Sequence, residues 1–152
     1  KGKRSEVVSL RRGINGELPR LPIILWIALM MLTGFAEELL FRFALLGLVV
    51  ELLAGVLPDV AAAVVAVVVS SLVFWFAHVR YRSLASTVAT LLLGVALGAA
   101  FLATGSLAVA AGAHVLYNVG VLAIARFHMN RYPDYFAGPP PKRVLLDQLE
   151  SE

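Results

Sequence analysis

The chain has 152 residues and a formal net charge of +3, with 60% hydrophobic and only 15% charged residues. Soluble domains average about 45–50% apolar and about 25% charged, and disordered chains lie further still toward charge, so an ordinary soluble globule and a disordered chain are both excluded. Cysteine is absent, which removes disulfides, thiolate metal sites and a cysteine nucleophile.

Residues 1–20 hold six basic and two acidic residues, with Gly13, Gly16 and Pro19 among them. They predict a polar, basic lead-in rather than a signal peptide, because the apolar run starts only after it. The absence of a starting Met leaves room for a longer parent chain. From Leu21 to Ala125 only seven residues are charged: Glu37, Glu38, Arg42, Glu51, Asp59, Arg80 and Arg82. A membrane-spanning helix needs about 20 apolar residues to cross about 30 Å of hydrocarbon. This block therefore predicts an all-α, polytopic membrane helix bundle with about four transmembrane helices.

The first apolar run, 21–54, would measure about 50 Å as a straight helix, so it is expected to tilt, bend or break. Thr33-Gly34 is the expected bend, and Gly55 to Pro58 the end, with Asp59 as N-cap of the next element. The second span, 59–78, is rich in Ala and Val and closes on Phe74-Trp75-Phe76. Its length without a turn signal favours helix over strand. Residues 79–83 are a short basic loop. The third span, 84–103, carries Gly94 and Gly98 at a spacing that lets helices approach closely in lipid. Thr104-Gly105-Ser106 is a turn, and 106–126 the fourth span. The membrane core is thus 21–126, and 127–152, with Pro133 and Pro139 to Pro141, a cytoplasmic tail. Arg80, Arg82, Arg126 and Arg131 put one end of the spans on the cytoplasmic side. Membrane lipid is the expected partner of the basic ends. No aromatic-basic interleaving accompanies them, so no nucleic-acid partner is expected.

Ionisable groups inside a span are expensive and mark candidate sites. Glu38 and Arg42 are four apart, so they share a helix face and can pair. Glu37, five before Arg42, falls about 140° away by α-helical geometry. It is left without a fixed counter-ion and is a candidate general base. His78 closes the second span, and His114 and Asn118 lie one turn apart on the fourth. Counting helical rise from the outer turns brings Glu37 and His78 to one level, with His114 and Asn118 reaching into the same half. Three elements converging on one layer predict a catalytic cavity. Glu37 and His78 can activate a water, while His114 and Asn118 can donate to an oxyanion. This is the chemistry of peptide hydrolysis. Ser70 and Ser71 lie about two turns from His78, too far for a serine triad.

Glu37-Glu38 with Arg42, Phe74 with His78, and His114 with Asn118 stand as EExxxR, FxxxH and HxxxN on successive spans. In this the chain resembles the CAAX-protease and bacteriocin-processing (abortive-infection) family, which includes the type II CAAX prenyl endopeptidases. The resemblance covers residues 33–122. It implies an intramembrane endopeptidase whose cavity opens to the cytosol, with Glu37, His78, His114 and Asn118 catalytic and Glu38 and Arg42 supporting. It implies a membrane-associated protein or peptide as substrate, prenylated in one branch. Phe43, where many members have a small residue, is a departure, as is the single apolar run ahead of the first motif.

Two other classes fit the composition: a silent membrane protein that binds a peptide or partner, as in bacteriocin immunity, and a metal-dependent membrane hydrolase or transporter. Complete motifs favour the enzyme. Against metal, Glu38 is committed to Arg42, and Asn118 is a poor zinc ligand and marks the His114–Asn118 pair as hydrogen-bond donors. That leaves Glu37 and His78, where catalytic zinc takes three protein ligands. No cofactor is expected.

Overall fold

The computed structural model describes residues 21–78 and 84–131; the lead-in 1–20, the loop 79–83 and the tail from 132 onward lie outside the described residues. Helix α1 (Ile23–Glu38) passes into a π-helical segment (Leu39–Leu46) and then α2 (Gly47–Leu53) without a break. Helices α3 (Asp59–Ala77), α4 (Leu84–Thr104) and α5 (Leu107–Arg131) follow. The continuous helix Ile23–Leu53 and α3, α4 and α5 are each long and apolar enough to cross a membrane. Among the described residues there is no strand, only an isolated bridge between Ala54 and Leu57 in the first turn. The architecture is all-α, as lipid demands of chains that must satisfy their own backbone.

Burial is inverted relative to a soluble domain. Ile24, Val60 and Leu84 are 80%, 77% and 81% exposed, whereas Glu38 and Arg42 are fully buried and His114 nearly so. Apolar side chains turned outward suit lipid as solvent, while the Glu38–Arg42 charges sit inside. Gly55 and Gly105 end their helices with φ of +77° and +64°, conformations that a Cβ disfavours.

Three expectations change in detail. Thr33-Gly34 does not break the first helix; Thr33 Oγ1 donates back to the Leu29 carbonyl at 2.8 Å. Gly34 is instead a close crossing, since a Cβ there would lie 2.9 Å from Val115 Cγ2. The departure from α geometry comes later, at Leu39–Leu46. Asp59 is not the N-cap: Pro58 holds that position, its carbonyl accepting from Ala62 N at 3.0 Å. Asp59 sits in the first turn, where a carboxylate complements the helix dipole. The fourth helix runs past Arg126 to Arg131, because nothing between them breaks a helix.

Ile27–Val119 form one compact unit, which contains every candidate site residue. Within it α3 and α4 pack along one another, and the π segment and α2 pack on α3. A Cβ on Gly94 would come within 3.1 Å of Ser71 Cβ and 3.2 Å of its Cα, so this glycine is required by close approach. Of the described residues, the second unit takes in 21–26 and 120–131. There Arg126 Nη1 donates to the Leu21 carbonyl at 3.1 Å.

Candidate active site

Glu37 and Glu38 occupy the last turn of α1, immediately before the π segment. Consecutive positions on a helix point about 100° apart, so the two carboxylates enter different surroundings. Glu38 Oε2 lies 3.1 Å from Arg42 Nε, both side chains fully buried. Its other oxygen lies 2.8 Å from Nδ1 of His114 on α5. Arg42 reaches further, with Nη2 donating to the Gly94 carbonyl of α4 at 3.2 Å. Its guanidinium carbon stands 4.7 Å from the centre of the Phe74 ring. A buried ion pair repays its desolvation only when further polar partners complete it. Here His114, a backbone carbonyl and an aromatic face supply part of that, while Arg42 Nη1 stays buried without a hydrogen-bond partner.

Glu37 has a different neighbourhood. Its Oε2 is 3.6 Å from His78 Nε2 and 3.6 Å from His114 Nε2. That oxygen is buried and has no hydrogen-bond partner, although the side chain as a whole remains 30% exposed. His78 caps the C-terminus of α3, and its Nδ1 lies 2.8 Å from the Phe74 carbonyl. A carbonyl can only accept, so Nδ1 carries the proton. The same holds for His114, whose Nδ1 faces a carboxylate. In the neutral ring each Nε2 is then a bare acceptor beside Glu37.

Phe74 is the common floor. Its ring centre is 4.4 Å from that of His78, 5.6 Å from His114 and 5.2 Å from Phe41. One buried ring therefore braces both imidazoles and the guanidinium.

The structure thus brings together Glu37, Glu38, Arg42, His78 and His114. Asn118 is one turn beyond His114 on α5, half-buried, and makes no side-chain hydrogen bond among the described residues. Of the two fourth-span residues expected to reach this half, His114 is the one in contact with Glu37. One sequence inference needs correction. The 140° between Glu37 and Arg42 assumed α geometry, whereas the chain between them passes into i→i+5 bonding, with more residues per turn. The Glu38–His114 bond spans 76 residues and had no local signal. The Phe74–His78 contact did have one, since the two are one turn apart.

The ligand count also changes. Glu37 now has both His78 Nε2 and His114 Nε2 beside it, so the argument from two available ligands no longer decides against metal. Among the described residues no three His, Asp or Glu side chains are arranged to hold a metal ion.

The family model described as Rce1-like, type II CAAX prenyl endopeptidase Rce1-like, matches residues 19–120. The chain belongs to this family. The match spans every residue of the cluster, and Asn118 besides. No curated protein and no solved structure matches the chain. Family membership and four helices of spanning length make this an integral membrane protein of a peptidase family that acts on membrane-associated proteins.

Proposed function

We propose that the chain is an intramembrane endopeptidase in which Glu37 activates the water that cleaves a peptide bond of a prenylated, membrane-associated protein or peptide. The observation that carries this reading is the unpartnered Glu37 Oε2, 3.6 Å from both imidazole Nε2 atoms. A water between these groups can donate one hydrogen to the carboxylate and the other to His78 Nε2. Its oxygen attacks the carbonyl carbon as Glu37 takes the proton. The tetrahedral intermediate collapses, the C–N bond breaks, and the proton passes to the departing amine.

The developing oxyanion needs donors. Asn118 supplies an amide, its hydrogen-bonding capacity uncommitted within the described chain. His114 can donate from Nε2 only when it carries both ring protons. Glu38 holds the His114 ring through Nδ1 and is itself held by Arg42. These two orient His114 and do not touch the substrate. The basic residues Arg126 and Arg131 at the end of α5 support a cytoplasmic orientation.

The test uses the full chain in lipid nanodiscs with a farnesylated peptide ending in a CAAX sequence. Cleavage detected by mass spectrometry and lost in Glu37→Gln is expected. Equal cleavage by the Gln variant would refute the role of Glu37, and no cleavage of prenylated or unprenylated peptides by the native chain would refute the activity.

A further inference from the structure

Ser70 is buried on α3, two turns from His78, and takes no part in the chemistry above. Its hydroxyl donates to the Phe41 carbonyl at 2.7 Å, a bond from α3 into the π segment. The neighbouring Ser71 is buried equally well, but its hydroxyl donates to Val67 within its own helix, also at 2.7 Å. Two adjacent buried hydroxyls thus do different things, and only that of Ser70 holds another element.

The segment it holds joins the candidate base to its support. Phe41 precedes Arg42, and the segment starts directly after Glu38. π-Helical turns are rare and appear mostly as single turns inside α-helices, frequently at functional sites. This one covers eight residues, Leu39–Leu46, and so needs an external tie. Across it Arg42 must meet Glu38 while Glu37 stays turned to the two imidazoles. We infer that Ser70 is a positioning residue: its bond to the Phe41 carbonyl holds the π segment in the register that gives Glu38 to Arg42 and leaves Glu37 facing His78 and His114. This rests on the proteolytic reading for its consequence in turnover but not for the bond itself.

The experiment compares Ser70→Ala with Ser71→Ala in the full chain in nanodiscs. Both lose one buried hydroxyl, so a general packing defect would appear in both. Kinetics on the farnesylated peptide are read together with the Phe41 carbonyl. Phe-Arg occurs once in the sequence, so carbonyl-13C phenylalanine with 15N arginine gives a single correlation in solid-state NMR. S70A is expected to shift that carbonyl resonance upfield and lower kcat about tenfold with KM within about twofold, as for general-acid–base geometry that has loosened. S71A should leave the resonance in place and kcat within about twofold. An unmoved carbonyl in S70A, an unchanged kcat, or equal losses in both variants would overturn the inference. If the native chain cleaves nothing, the proteolytic reading falls, and the carbonyl shift alone decides whether Ser70 holds the segment.

Discussion

The seam between α3 and α4 and the polar layer beside it are both buried, yet they are closed by opposite means. At the seam, Ser71 meets Gly94 and Val67 meets Gly98, with a Cβ on Gly98 only 3.4 Å from Val67 and from Leu46. Small residues let backbones approach, and van der Waals contact suffices where lipid offers no hydrophobic drive. In the polar layer, Glu38, Arg42 and His114 are joined by directed contacts of 2.8 and 3.1 Å. Gly94 belongs to both regions: its missing side chain closes the seam and its carbonyl receives Arg42. The seam sets how far apart the helices stand, and the polar layer sets which way the reactive groups face. Changes at Glu37 and Asn118 should therefore split activity from stability, and changes at the buried Glu38–Arg42 pair or in the seam should not.

The sharpest split is expected at Glu37. Glu37→Gln keeps the shape, cannot take a proton from water, and should lower turnover by about 10²–10⁴-fold. Its thermal unfolding in nanodiscs should be unchanged or higher, because a charge without a counter-ion is removed. A Gln variant that unfolds early would make Glu37 structural.

Arg42→Met tests the opposite member of the layer. It strands Glu38 with His114 as its only ionic partner, and breaking a buried pair from one side costs about 3–5 kcal/mol. Loss of the folded population on heating should follow, with partial recovery in the double variant Glu38→Gln, Arg42→Met. Recovery is the decisive part, since it separates a stranded charge from a lost packing volume.

Asn118→Ala should again separate the two readouts. Removing an oxyanion donor costs about 10²–10³-fold in kcat. The side chain makes no hydrogen bond among the described residues, so the melting temperature should stay put. A fall in stability with normal kcat would assign Asn118 to packing.

In the seam, Gly94→Ala and Gly98→Ala form a graded pair. A Cβ at Gly94 meets Ser71 backbone at 3.2 Å, and overpacking of this kind costs about 1–3 kcal/mol. At Gly98 the nearest atoms are side-chain methyls at ordinary contact distance, and alanine is the better helix former by about 1 kcal/mol, so the change should be near zero. Equal destabilisation would show that the two glycines do not differ as the geometry says. The smallest expected effect is that of a chelator. Dialysis against one should leave turnover unchanged, whereas activity lost and then restored specifically by zinc would make Glu37, His78 and His114 its ligands.

Much of this was legible in the chain itself. Twenty-residue apolar runs separated by Gly-Pro and Gly-Ser turns determine helices of spanning length, because lipid leaves the backbone no other way to satisfy its hydrogen bonds. The one-turn spacing of Glu38 and Arg42 determines that they can pair, and the rarity of charge in a span marks Glu37, His78 and His114 as a set. The tertiary structure decided what spacing cannot express. Helical rise brought both His114 and Asn118 into one half, and packing made His114 the neighbour of Glu37. The Thr33-Gly34 pair looked like the bend, but the π segment lies at Leu39–Leu46, tied from outside by Ser70. The Glu38–His114 bond and the Gly94 carbonyl under Arg42 join residues far apart in the chain, and only packing of separate helices brings such groups within hydrogen-bond reach.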